Sequence, residues 1–128
     1  MNKICTSLKQ SQKLVELGVD INTVDMYYSY DYNINKYDDD AQIIPQSELG
    51  QHFSLFPEDI PAWSLSALID ALPLVETHKQ TDGYKVYYYV ELYMRRMKKE
   101  IYLSTERHES LVDACVEMLL KLHERKLL

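Results

Sequence analysis

Residues 83–103 read GYKVYYYVELYMRRMKKEIYL. Val86, Tyr88, Val90, Leu92 and Met94 fall on one face of an extended chain, and Tyr87, Tyr89, Glu91 and Tyr93 fall on the other. A two-residue period in a β-branched and aromatic composition predicts a strand. One face is apolar enough to meet a core. The other carries tyrosines, whose rings can be covered while their hydroxyls stay wet. Asp82-Gly83 is a turn signal just ahead of the strand. Arg95, Arg96, Met97, Lys98 and Lys99 break the alternation and predict an exposed turn, and Ile101 and Leu103 alternate with Tyr102 and Ser104 as a return strand.

Outward from this hairpin, the C-terminal side predicts a helix from Ser110. Leu111, Cys115, Met118 and Leu122 form one row, and Val112, Val116 and Leu119 an adjacent one, a stripe wide enough to lie flat on a sheet. Ser110 and Asp113 have capping-box spacing, with Asp in place of the usual Glu or Gln. On the N-terminal side, Ser64 is a cap for SLSALIDALP, whose Leu65, Leu68, Ile69 and Leu72 share one stripe and which Pro73 stops. Residues 74–82 read as a connection. Further back, CTSLKQSQKLVELG is a helix capped by Thr6 or Ser7 and closed by Gly18. VDMYYSYDY alternates as a strand. With Gln42–Pro45 as its return, it predicts a second hairpin with a long acidic tip at Asp38-Asp39-Asp40. Residues 46–62 show no clear period. Ser47–Phe53 fits one short helix, and Pro57 and Pro61 punctuate a loop. The expected fold is α+β in the order αββαββα: two antiparallel hairpins forming a sheet packed against about three helices, in one domain spanning residues 1–128.

Composition narrows the function classes. The 128 residues include eleven tyrosines against two phenylalanines and one tryptophan, a bias toward half-buried and interface positions. The net charge of −6 argues against general nucleic-acid binding, but it is unevenly spread. Residues 1–83 carry five Lys/Arg and thirteen Asp/Glu, a net of −8; residues 84–128 carry nine and seven, a net of +2. No apolar leader or membrane-length run is visible, and two cysteines, Cys5 and Cys115, suit a reduced compartment, so a cytoplasmic protein is expected.

Four segments stand out together: Cys-Thr-Ser near the start, Asp-Met-Tyr-Tyr from Asp25, Ile-Pro-Ala-Trp-Ser-Leu from Ile60, and Val-Asp-Ala-Cys-x-Glu-Met from Val112. As an ensemble they resemble a group of small uncharacterised proteins encoded in prophages and other mobile elements of gut Bacteroidetes. The resemblance implies a phage or mobile-element accessory protein. It implies no chemistry.

The residues themselves offer no catalytic constellation. His52, His78, His108 and His123 include no pair at helical i, i+4 spacing, and zinc motifs are absent. Asp31 and Asp38–Asp40 lack the spacing of a calcium loop. His108 with Glu109 lacks a third group to orient the imidazole. Cys115 sits on an apolar stripe, where a thiol is a small core residue. No glycine-rich phosphate loop is present. No cofactor and no metal are therefore expected. Two surfaces remain. Tyr87, Tyr89 and Tyr93, joined by Tyr27 from the first hairpin, form an expected face for a protein partner or for self-association. Arg95, Arg96, Lys98 and Lys99 at the hairpin tip are the alternative, a nucleic-acid contact.

Overall fold

A computed structural model describes residues 3–44 and 58–128. The fold is α+β. Its strands are antiparallel throughout and divide among three small sheets rather than one.

The first helix, α1 (Leu8–Leu17), begins where Ser7 accepts from the Gln10 N–H and Gln10 returns a bond to the Ser7 backbone, a complete capping box. Gly18 ends it at φ +83°, a left-handed conformation open to glycine at little cost. A 3-10 turn, Ile21–Thr23, leads into β1 (Met26–Tyr28). The expected hairpin forms: Met26 pairs with Ile43 and Tyr27 with Gln42 of β4 (Gln42–Ile43). Its tip carries a ribbon of its own, β2 (Tyr30–Asp31) against β3 (Lys36–Tyr37).

On the other side of β1 lies β5 (Ile60–Ala62), a strand in a stretch whose prolines suggest only a loop. Pro61 is tolerated there because β5 is an edge, so its missing N–H costs no ladder bond. Pro45 and the helix expected at Ser47–Phe53 lie outside the described residues.

Ser64 caps α2 (Leu65–Ala71), as its sequence predicts. The buried face differs by one position. Ala67, Leu68 and Leu72 are inside, while Ile69 is exposed. Seven residues are under two turns, too short for a four-residue stripe to dictate the docking angle.

The third sheet holds β6 (Glu76–Asp82), β7 (Lys85–Arg96) and β8 (Lys99–Ser104), with β7 central. Sequence reading makes residues 74–82 a connection. They are instead a strand paired with β7 from Glu76↔Glu91 to Asp82↔Lys85. ETHKQTD contains no apolar residue, so hydrophobic periodicity is silent there; the two-residue Gly83-Tyr84 turn folds it back. Gly83 at φ +61° supplies the positive φ that such a turn needs at its first position. The second turn is tighter than the charge run suggests. Arg96 pairs with Lys99, leaving Met97 and Lys98 as the whole loop.

The last helix, α3 (Leu111–Glu124), lies on β7, α1 and α2. Val112, Cys115, Val116, Met118, Leu119 and Leu122 of the double stripe are buried, Leu111 is half-buried, and Ala114 is buried beside them. Full burial of each large side chain is worth about 1.5–3 kcal/mol. The expected capping box does not form. The Asp113 carboxylate, which would return the bond to the Ser110 N–H, is drawn to Lys3 (2.9 Å) and Gln10 (2.7 Å), and the Ser110 hydroxyl makes no cap bond of its own. One apolar cluster joins Leu14, Trp63, Leu68, Val90, Leu92 and α3, so both halves of the chain share a core. A satellite holds Met26, Tyr28 and Ala62.

Candidate interaction surface

Alternation along β7 separates two faces, as predicted. Val90 and Leu92 point toward α3 and are buried. Tyr87, Tyr89, Glu91 and Tyr93 point away, onto a face that none of the helices among the described residues packs across. Strand pairing adds neighbours to this outer face: Gln80 beside Tyr87, His78 beside Tyr89, Glu76 and Ser104 beside Glu91, Tyr102 beside Tyr93, and Glu100 beside Arg95.

The face has a covered end and an open end. Tyr87 and Tyr89 are half-buried, and the Tyr89 ring stacks on His78 at 4.6 Å with planes 13° apart. Tyr93 and Tyr102 are 59% and 62% exposed, and Leu74, at 95%, adjoins them. One of the two open rings is held by its hydroxyl: Tyr102 donates to the Glu91 carboxylate. The neighbouring Glu100 carboxylate raises the Tyr93 phenol above its ordinary range. Leu74, Val75, Glu76, Glu91, Tyr93 and Tyr102 line a depression of about 320 Å³. Glu76 and Glu91 stand directly opposite, a like-charge pair that is unfavourable unless screened. His78 Nε2 lies 3.5 Å from Glu76 and 3.4 Å from Glu91, placed to offset that repulsion when protonated. The surface is therefore a pair of exposed aromatic rings, Tyr102 pinned through its hydroxyl, over an acidic floor.

Tyr27 does not join it. Tyr27 lies on β1, in the N-terminal sheet, with its hydroxyl on Gln42 (3.0 Å) and its ring against the main core. Tyr102 and Leu74 also belong to the surface. Tyr102 is legible from its alternation with Ile101 and Leu103. Leu74 is not, since only the unexpected β6 brings it beside Tyr93.

Arg95, Arg96, Lys98 and Lys99 do cluster at the tip of the β7–β8 ribbon, all exposed. Met97 stands among them, 91% exposed. Arg96 and Lys99 are paired directly, two cations side by side, and Glu100 stands opposite Arg95.

The remaining candidates take structural roles. His108 meets Glu117 (2.8 Å), not Glu109, which lies 4.0 Å from Lys85. Glu117 also accepts from the Glu106 N–H and pairs with Lys121 (3.1 Å), so it ties the loop after β8 to α3. Burial alone would raise the Glu117 pKa, but the bonds from His108, Lys121 and Glu106 outweigh it and hold the carboxyl below its ordinary value. Burial pushes the Cys115 thiol up to about 11, and burial likewise raises Cys5, the reverse of an activated nucleophile. The Asp31 side chain accepts the Asn33 N–H (2.9 Å), and Asp38 accepts from Gln42 (3.4 Å). Among the described residues no three His, Cys, Asp or Glu side chains form a metal-binding group. Nor, among them, is any helix long and apolar enough to cross a membrane.

The segments Cys-Thr-Ser, Asp-Met-Tyr-Tyr and Ala-Trp-Ser meet in a buried polar knot. Thr6 Oγ1 accepts the Trp63 N–H (3.1 Å) and bonds Ser11 Oγ (2.7 Å). Tyr28 donates to the Thr6 carbonyl (2.8 Å), Trp63 Nε1 to Thr23 (2.8 Å), and Ser64 to Asp25. These bonds join α1, β1 and the start of α2, satisfying polar groups that burial would otherwise leave unpaired.

No protein-family model matches this sequence, and neither a curated protein nor a solved structure similar to it was found.

Proposed function

We propose that this chain is a non-enzymatic accessory protein of a phage or mobile element that binds a protein partner through the open end of its C-terminal sheet. The observation that carries the reading is the pair Tyr93–Tyr102, exposed beside Leu74, with the Tyr102 hydroxyl anchored on the Glu91 carboxylate. A ring held in place before binding loses little freedom on contact, and tyrosine combines large area with a polar tip. Glu76, Glu91 and Glu100 around the rings favour a partner segment carrying both apolar and basic side chains.

The test is a comparison of wild type with Tyr93→Ser/Tyr102→Ser in affinity capture from host lysate, with thermal melts run in parallel. The variant is expected to lose a partner retained by wild type while melting within a few degrees of it, about the effect of a surface change. Equal capture by both proteins, or a variant that unfolds, removes the proposal.

A second reading has its own observation: four exposed cations and an exposed Met97 at the end of a projecting ribbon. On this reading the tip contacts nucleic-acid phosphates. Binding to a DNA duplex then weakens with salt, and Arg95→Ala/Arg96→Ala reduces the logarithmic salt slope by about 2, near 0.9 per lost phosphate contact. A salt-independent signal, or an unchanged slope in the variant, rules it out.

A further inference from the structure

Among the described residues the C-terminal sheet ends in two unpaired edges, β6 and β8, and they differ in kind. β6 is polar throughout, and Lys79 lies on the face that carries Tyr88 and Val90. A charge pointing to the core side of an edge strand discourages another strand from adding there. Pairing β6 with its own copy about Lys79 sets Lys79 against Lys79 and Glu76 against Asp82. The centre of β8, Ile101-Tyr102-Leu103, has no such guard.

The backbone of β8 is oriented for addition. Thr105 N–H donates to the Val90 carbonyl (2.9 Å), which assigns Leu103, Ile101 and Lys99 to the ladder with β7 by alternation. The N–H and C=O groups of Glu100, Tyr102 and Ser104 therefore point outward. Lys121 Nζ reaches the Ser104 carbonyl from outside (2.9 Å), in agreement with this orientation. A carbonyl has a second lone pair for a strand partner.

The residue pattern of β8 is complementary to itself in one register. Antiparallel pairing about Tyr102 sets Tyr102 opposite Tyr102 of the second copy, Ile101 opposite Leu103, Glu100 opposite Ser104 and Lys99 opposite Thr105. Each row then continues across the junction with its own kind. On the outer face Tyr93, Tyr102 and their two counterparts line up as a ladder of rings spaced about 4.8 Å apart. On the inner face Met94 and Ile101 continue into Leu103 and Leu92 of the second copy, an apolar row. Centring on Ile101 instead puts Lys99 against Leu103. Centring on Leu103 puts Lys99 against Arg107 and Glu100 against Glu106, both like charges and unfavourable.

From these observations we infer that β8 pairs antiparallel about Tyr102 with β8 of a second copy, making a six-stranded sheet across a two-fold axis. The occupant of this edge is a copy of the same chain. The inference goes beyond the partner-binding face, because the edge and the face are separate surfaces. Pairing brings two Tyr93–Tyr102 patches together without covering them.

Sedimentation equilibrium gives the first test: a mass twice that of the chain is expected, and a monomer at every attainable concentration overturns the inference. Ser104→Pro removes an outward N–H, which an edge strand tolerates, and a long hydroxyl bond to the neighbouring Thr105 carbonyl (3.3 Å). It is expected to be folded and monomeric, and a folded Ser104→Pro dimer overturns the inference. This variant leaves Tyr93 and Tyr102 in place, so it loses the dimer while retaining any partner held by the face, which separates failure here from failure of the proposed function. Register is read in a Cys5→Ser background. Tyr102→Cys is expected to form an intermolecular disulfide, since directly opposed Cα atoms lie about 5.5 Å apart. Ile101→Cys, whose counterpart lies on a diagonal about 7–8 Å away, is expected not to. The reverse pattern, or linkage at neither position, overturns the register.

Discussion

Glu117 shows how far a single side chain departs from its sequence context. It lies on α3 among apolar residues, and its carboxylate gathers His108, Lys121 and the Glu106 N–H. Its pKa is held below the ordinary 4.5 in the folded protein. A depressed folded value means that the carboxylate stabilises the fold fully above its unfolded pKa and that this contribution is lost as pH falls through the folded one. Thermal melts from about pH 6 down to pH 3 should show wild type losing stability steeply in acid. Glu117→Gln should be less stable at neutral pH and show a shallower acid limb, the two curves converging at the bottom. Parallel curves would show that the carboxylate contributes nothing of this kind. Asp113 is depressed in the same direction: burial raises it, but Lys3 and Gln10 more than compensate, so some acid slope remains in the variant.

At the scale of the element, the β7–β8 ribbon turns through two left-handed residues, Met97 at φ +52° and Lys98 at φ +64°. Positive φ at both central positions is the geometry that matches strand twist, and it normally selects Asn-Gly. Side chains with a Cβ are held there at about 1–2 kcal/mol each. Met97→Asn/Lys98→Gly should therefore stabilise the protein by about 1–2 kcal/mol in urea unfolding, since the substituents suit the same backbone. An unchanged or lowered midpoint would mean that the turn is not strained. If the tip contacts nucleic acid, the same variant is more stable yet binds less well, because it loses Lys98 and the exposed Met97. Sequence placed this ribbon and its buried face correctly, since period two in VYYYVELYM has one physical meaning. It left the turn too wide, because four charges in a row signal exposure and say nothing of which two residues reverse the chain.

For the whole molecule, the shared core predicts how the protein unfolds. Trp63 and Leu14 from the N-terminal half pack in the same cluster as Val90, Leu92 and α3. Trp63 is the sole tryptophan and is fully buried, so its fluorescence reports the junction. Fluorescence and far-ultraviolet circular dichroism should give one coincident transition in denaturant, the sign of a single cooperative unit. Separate midpoints would show two halves that fold apart. By itself the sequence determined the three helices, both hairpins, the α+β class and the division of β7 into a core face and a tyrosine face. All of these follow from local periodicity and from end signals such as Ser7, Gly18 and Ser64. Only the tertiary structure decided the rest: that the strands split among three sheets, that ETHKQTD pairs with β7, that Asp113 serves Lys3 and Gln10 rather than its own helix, and that Tyr102 and Leu74, not Tyr27, complete the open face. Each of those depends on groups brought together by pairing or by hydrogen bonds across the chain. Such contacts leave no period in the sequence, because a polar residue in a strand or loop reads alike whether its partner is water or a side chain a hundred positions away.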